Sequence, residues 1–310
     1  MRFLVVGAGG IGAYYGARLL QAGNGVVFVA RGEHLEAIKK RGLSMKHPRF
    51  VFDELVTAVA LSEYNKGTQA VDCILLATKA TSTRAISEEL YSIFGENIPY
   101  ILSLQNGVEN EDILCEFFPK EKIIGGICRK IGGHITKPSC IEATGNVETL
   151  IGAIKRGTPT NQFVQKLCFV FQSSGILCTI TQDIKKELYK KLIINNGVNA
   201  ICALLQIKTQ TLMNHEKLNK IVYGLMNETA LAAKVAGVEI AREDIDSMFE
   251  LIKTFDSIKP SMLIDREYGR TLEIEEICGI VIRNNESQNI DSPYTKTIST
   301  LLEYTYKEKQ

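Results

Sequence analysis

The sequence predicts an α/β chain with an N-terminal doubly wound parallel sheet and an all-helical C-terminal domain. Three observations point to it. Continuous apolar runs (RFLVV at 2–6, GVVFVA at 25–30, CILLAT at 73–78, YILSL at 100–104) alternate with helix-like segments through the first half. Such runs have no polar face, so each strand needs cover above and below, as in a parallel sheet flanked by helices. After about residue 183 the strand signals stop and amphipathic helical segments take over.

In order, RFLVV is the first strand, and IGAYYGARLLQAG (11–23) is a helix stopped by glycine. GVVFVA is the second strand, followed by EHLEAIKKRG (33–42), a helix with the same kind of stop. CILLAT and YILSL are further strands, and STRAISEELYSIF (82–94) between them has helical periodicity. From 123 to 155 the runs become short and glycine-punctuated: IIGGICRKIGGHI, CIEATG, ETLIGAI. These read as antiparallel strands appended to the sheet. A helix at 161–173 and the run ILCTI (176–180) close a first domain, 1–182. The second domain, 183–310, carries helices at 184–205, 216–237, 242–255, 271–285 and 294–308. The boundary lacks linker composition, so a rigid junction with a cleft is expected.

At 310 residues the chain can bury two cores. Its 36 basic and 35 acidic residues leave a formal charge of +1, with no global field for nucleic acid or an anionic membrane. Eight scattered cysteines lack C-x-x-C spacing, and four histidines stand alone. Neither pattern suggests a disulfide framework or a metal site, and a reducing compartment is expected. Only Met1 and Arg2 precede the first apolar run. A signal peptide needs an apolar core of about 7–15 residues, and a membrane span needs ~20. A cytoplasmic protein is the expectation.

GAGGIG (Gly7 to Gly12) has the spacing G-x-G-x-x-G, follows a strand and opens a helix. In that context Gly7 permits the tight turn, Gly9 lets the backbone approach a pyrophosphate, and Gly12 lets helix and strand pack closely. Gly10 and Ile11 complete the loop and begin the helix whose N–H groups face the anion. The acidic residue expected about 20 residues on, to bind a ribose 2′-hydroxyl, is missing. The strand ends VFVARGEH, with Arg31 at that place. A guanidinium there suits a 2′-phosphate, and so NADP, with Glu33 as the alternative ribose ligand. Lys79, after CILLAT, either faces the ligand crevice or starts a solvated helix. Asn106, in SLQNGVEN, either holds a nicotinamide or substrate oxygen or forms an Asn-Gly turn. In KKLIINNGVN, Lys191, Asn195 and Asn199 share one helix face. Ser261, Asp265 and Glu273 punctuate SMLIDREYGRTLEIEEICG, where carboxylates on helices are usually solvated.

The chain resembles the ketopantoate reductase (2-dehydropantoate 2-reductase) family nearly end to end. GAGGIGAYYGARL, VARGEHLEAI, the lysine in ATKA, QNGVEN, ELYKKLIINNGVNA and SMLIDREYGRTLEIEEICG stand in the family's order and spacing. The last two are the most specific. The resemblance implies a Rossmann-type N-terminal domain and NADPH-dependent reduction of 2-dehydropantoate to pantoate, a precursor of coenzyme A. It implies that Gly7, Gly9, Gly10, Ile11 and Gly12 hold the pyrophosphate. Arg31 and Lys79 then face the 2′-phosphate side, and Asn106 the nicotinamide end. Lys191 and Glu273 are the implied catalytic pair, with Asn106, Asn195, Asn199 and Ser261 holding the substrate. The implied partner is a small 2-keto acid, with no nucleic acid, membrane or metal and with a homodimer allowed. Another branched 2-keto acid as substrate, or a non-catalytic NADPH-binding sensor, are the alternatives. Residues 125–146 fit the family loosely, and Arg129, Lys130 and His134 map onto no role.

Overall fold

The computed structural model describes all residues except 68–69, 255–256 and 308–310, with Lys307 described in its backbone alone. It divides into two compact units, Met1–Ile184 and Lys185–Gln310.

The first unit is built in the order β1 (Arg2–Val6), α1 (Gly10–Gln21), β2 (Gly25–Val29), α2 (Gly32–Arg41), β3 (Leu43–His47), β4 (Phe50–Glu54), β5 (Thr57–Val59), β6 (Cys73–Leu76), α3 (Thr83–Phe94), β7 (Tyr100–Ser103), α4 (Asn110–Phe117), β8 (Ile123–Arg129), β9 (Gly132–Lys137), β10 (Cys140–Thr144), β11 (Glu148–Ala153), α5 (Thr158–Ser173) and β12 (Leu177–Ile180). Among the described residues eight strands form the main sheet, in the order β12-β11-β8-β7-β6-β1-β2-β5. From β8 to β5 neighbouring strands run parallel; β11 is antiparallel to β8, and β12 is parallel to β11. The apolar runs have the cover they require. Phe3 and Val5 join the core under α1 and α5, while Leu4 and Val6 join the one under α3 and α4. This is the doubly wound, Rossmann-like arrangement, and β1 stands where the chain, having built β2 and β5 on one side, returns to build β6 on the other.

Residues 123–155 depart from the expected appendage of antiparallel strands. β8 joins the main sheet parallel to β7, and β11 pairs antiparallel with β8. β9 and β10 leave that sheet for a second one, ordered β4-β3-β10-β9. The change of sheet occurs after Arg129, where Lys130 takes a positive φ of 55°. Met45, Phe52, Ile141 and Ala143 turn one face of the small sheet into the core that holds Tyr14 and Tyr15 of α1.

The second unit holds α6 (Ile184–Leu205), α7 (Thr209–Asn214), α8 (Glu216–Ala232), α9 (Arg242–Lys253), α10 (Ser261–Glu267), α11 (Ile280–Glu286) and α12 (Pro293–Lys307), and it is all-helical as expected. The last residues of the expected helices 242–255 and 294–308 lie outside the described residues. Among the described residues no helix is long and apolar enough to cross a membrane. Buried polar side chains fix how these helices meet. The Glu228 carboxylate, on α8, accepts the Tyr294 and Thr295 N–H groups and the Thr295 hydroxyl at 2.9, 2.8 and 2.6 Å. It thereby satisfies donors that the first turn of α12 would otherwise leave unpaired, and places negative charge at the positive end of that helix. The Asn196 amide of α6 donates to Thr229 and Thr295 hydroxyls at 2.9 and 3.1 Å, joining three helices. We expect Glu228→Ala to destabilise the protein by about 3 kcal/mol, because it strands three donors, two of them buried. Urea unfolding measures this, and a change under about 0.5 kcal/mol, the range of ordinary surface substitutions, would reject the role given to Glu228.

Candidate active site

Parallel sheets bind ligands at the carboxyl edge of their strands, near the point where strand order reverses. Strand register brings the N-terminal candidates to that edge. Val6 lies beside Val29 and Leu76, and Leu76 beside Ser103. Backbone bonds carry the alignment past the strand ends. Gly7 and Ala8 N–H donate to the Val29 carbonyl at 3.1 and 3.2 Å, Ala77 N–H to Val6 and Leu104 N–H to Leu76, both at 2.9 Å. Arg31, Lys79 and Asn106 each follow within a few residues. The edge therefore gathers Gly7, Gly9, Gly10, Ile11, Gly12, Arg31, Lys79 and Asn106.

Two glycines in the loop are dictated by geometry. Gly7 has φ +101°, a region unfavourable to residues with a Cβ. At Gly12 a Cβ would lie 1.9 Å from the Gly7 carbonyl oxygen. In front of the loop there is space, since a Cβ at Gly9 would meet nothing within 4 Å. No side chain caps α1, and its first turn holds no acidic residue. An N-terminus of this kind suits an anion, and the loop's residues fit a dinucleotide pyrophosphate. Arg31 is exposed, at the N-cap of α2 with an extended backbone.

A polar lattice behind this edge escaped the sequence reading. The Gln105 amide donates to Thr78 Oγ1, the Lys79 carbonyl and Thr83 Oγ1 at 3.2, 3.2 and 3.0 Å. Asn110 Nδ2 donates to the Asn106 carbonyl at 2.6 Å, and its Oδ1 takes the Thr83 hydroxyl at 2.7 Å. Gln105 and Asn110 are buried, so their bonds hold the backbone of Lys79 and Asn106 in place.

His34, an isolated histidine in the sequence, is a second such contact. Its Nδ1 accepts the Ser139 N–H at 3.1 Å, and its Nε2 is 2.8 Å from the Ala8 carbonyl. A backbone N–H can only donate, so Nδ1 is unprotonated and Nε2 carries the hydrogen that Ala8 accepts. The structure requires the neutral imidazole. Burial holds its pKa below the usual histidine value, opposed by the bond to Ala8. Beside His34, the N-cap Arg31 and the helical Glu33 are exposed, and Arg41 at the end of α2 donates to the Ser139 hydroxyl.

In the helical unit, α6 presents Lys191, Asn195 and Asn199 on one stripe. At 3.6 residues per turn the stripe lies roughly 60–140° round the helix from Asn196, whose side chain is anchored in the core. Asn199 is 3 % exposed, and its Oδ1 is buried with no hydrogen-bond partner among the described residues. Lys191 and Asn195 are half-buried. Ser261 is the exposed first residue of α10. Arg266 docks that helix on the end of α6, its Nη1 donating to the Ala203 and Leu204 carbonyls at 2.5 and 3.0 Å. Such a cation complements the negative C-terminal end of α6. Glu273 is 8 % exposed and stands two residues before a π-helical turn, Glu275–Gly279, that leads into α11. Turns of this kind recur at functional sites. Asn284 ties α11 to α6 through the Tyr189 hydroxyl at 3.3 Å. Ser261 and Glu273 thus come from two separate segments, each fastened to the helix that carries the stripe.

A family model described as Ketopantoate reductase PanE/ApbA matches residues 3–156, and its companion, Ketopantoate reductase PanE/ApbA C terminal, matches residues 183–305. The chain is 31% identical to the 2-dehydropantoate 2-reductase of Pyrococcus horikoshii, over 94% of this chain and 93% of that one. A solved 2-dehydropantoate 2-reductase from Geobacter metallireducens is similar with a TM-score of 0.87 at 31% identity, covering 98% of this chain and 100% of that one. D-mandelate dehydrogenase, solved with NADH and anilino(oxo)acetate, is similar with a TM-score of 0.91 at 25% identity, covering 99% of both chains.

The lowered pKa of His34 makes stability pH-dependent, with a fixed sign. Between the folded value and the ordinary value of about 6.5, the unfolded chain binds more protons. The contribution of His34 is therefore complete above about pH 6.5 and is lost as pH falls toward the folded value. Urea unfolding from pH 7.5 to 5 should show wild type losing stability faster than His34→Gln. Parallel curves would contradict the assignment.

Proposed function

The chain belongs to the ketopantoate reductase family, and on that premise we propose that it reduces 2-dehydropantoate to pantoate with NADPH. The observation that carries the reading is the α6 stripe, where an ammonium, Lys191, shares a face with two amides, one of them buried with an oxygen that has no partner among the described residues. A buried acceptor without a partner is costly, and a substrate hydroxyl that donates to it offsets the cost.

The proposed roles follow from the chemistry of a carbonyl. Bound NADPH supplies the hydride. As the keto carbon accepts it, the C=O π pair moves onto oxygen and negative charge builds there. The Lys191 ammonium hydrogen-bonds that oxygen and gives it the proton, so the product is a neutral hydroxyl and the lysine is left as the amine. Glu273, a buried carboxylate, orients the ammonium or a substrate hydroxyl. Asn195, Asn199 and Ser261 fix the rest of the substrate, which lowers the entropy cost of a productive encounter. Gly7, Gly9, Gly10, Ile11 and Gly12 bind the pyrophosphate, Arg31 with Lys79 the 2′-phosphate side, and Asn106 the nicotinamide end.

A second reading has its own support. The same scaffold serves D-mandelate dehydrogenase, solved with NADH, so another 2-keto acid could meet the same lysine and amides. A panel of 2-keto acids, followed by NADPH absorbance, separates the two. We expect the highest kcat/KM with ketopantoate, and a rate fallen by a factor of about 10²–10⁴ in Lys191→Ala with NADPH affinity retained. Preference for another acid would move the substrate assignment to the second reading; an undiminished Lys191→Ala rate would remove Lys191 from the mechanism.

A further inference from the structure

The segment that the sequence leaves without a role, 125–146, meets the glycine loop at two places. A Cβ built on Gly10, the first residue of α1, would lie 2.2 Å from both the carbonyl carbon and oxygen of Gly133 in β9. Two backbones are in contact there: Gly10 has no room for a Cβ, and one on Gly133 would lie 3.0–3.2 Å from the Gly10 backbone, too tight for a larger side chain without a shift. The second place is His34, which bonds Ala8 in the loop and Ser139 in the turn between β9 and β10.

That turn is itself tightly held. Ser139 is 1 % exposed and has φ +64°, a conformation that costs a non-glycine residue about 1–2 kcal/mol. All its polar groups are bonded. Its N–H goes to His34, its carbonyl accepts Ser44 N–H at 2.9 Å, and its hydroxyl accepts Arg41 Nε at 2.8 Å. Arg41 Nη2 also donates to the Pro138 carbonyl at 2.5 Å. His34 and Arg41, two turns apart on α2, thus grip one rigid turn.

Holding the Ala8 carbonyl has a consequence one atom further on. The Ala8 carbonyl and the Gly9 N–H belong to one planar trans peptide and point in opposite directions. Fixing the carbonyl on His34 therefore aims the Gly9 N–H away from α2, on the residue that has open space before it. Glycine-rich loops otherwise have wide conformational freedom, and ordering them on a ligand costs entropy.

We propose that the β9–β10 hairpin is the second half of the dinucleotide cradle, with His34 and Gly133 as positioning residues that preset the pyrophosphate-binding loop. This rests on the reading of that loop as a nicotinamide dinucleotide site. Both contacts act on the pyrophosphate part that NADPH and NADH share, so their loss weakens both cofactors by the same factor. Loss of a 2′-phosphate contact would instead change their ratio.

The test is calorimetric titration of NADPH and of NADH into wild type, His34→Leu, His34→Gln and Gly133→Val, with thermal melting of each variant. His34→Leu and Gly133→Val should raise Kd about tenfold for both cofactors, leave the NADPH-to-NADH ratio within about twofold, and act on KM for cofactor more than on kcat. Glutamine keeps a donor and an acceptor, so His34→Gln should recover most of the affinity that leucine loses. Folded His34→Leu and Gly133→Val proteins that bind both cofactors like wild type overturn the clamp alone. Equal losses in Gln and Leu overturn the role of the two hydrogen bonds. Wild type that binds neither cofactor overturns the dinucleotide reading beneath it.

Discussion

A methyl group at Gly12 would lie 1.9 Å from the Gly7 carbonyl oxygen, so α1 can start where it does only because that methyl is missing. This approach of helix to strand end organises the first unit. It aims the unsatisfied N–H groups of α1 across the carboxyl edge of the sheet, where the register of β1, β2, β6 and β7 also delivers Arg31, Lys79 and Asn106. The loop between Val6 and Gly10 is short, and its conformation is maintained from outside by the Val29 carbonyl and by His34. The buried amides Gln105 and Asn110 do the same for the neighbouring loops. A flexible motif becomes a shaped one through its surroundings.

The second unit solves a similar problem with different means. The direction in which α6 presents Lys191, Asn195 and Asn199 is set only if its rotation about its own axis is fixed. Apolar packing alone tolerates small rotations, whereas hydrogen bonds with defined directions do not. Asn196 supplies those bonds on one side, Arg266 grips the carbonyl end, and Glu228 secures α12, whose Thr295 is one of the partners of Asn196. The buried polar groups act as alignment pins, and each costs stability if left unpaired.

How much of this the sequence disclosed follows from how local each signal is. β1, β6 and β7 were legible because both their faces are buried, which gives unbroken apolar runs. β3, β4 and β5 were not, because LSMKHPRFVFDELVTAV mixes polar and apolar positions. Val51 and Leu55 in that stretch are 64% and 80% exposed, and β3 finds a partner in β10, nearly a hundred residues away. β8 and β9 could not be assigned to different sheets, since the switch falls at Lys130 without a glycine or proline to mark it. Within the candidate site, the glycine motif and the four-residue spacing of the α6 stripe are local patterns. Asn196 sits beside that stripe but outside its spacing, and His34 matters through Ala8 and Ser139, which only the folded chain brings to it.

The central proposal is that the first unit's strand edge is a dinucleotide site whose Arg31 selects the 2′-phosphate. Dissociation constants of NADPH and NADH, measured side by side for wild type and Arg31→Ala, address it in one experiment. Wild type should favour NADPH, and the substitution should weaken NADPH by about tenfold or more while NADH changes by less than about threefold, as loss of a charge-assisted pair requires. Equal losses for both cofactors, or wild-type preference for NADH, would contradict it.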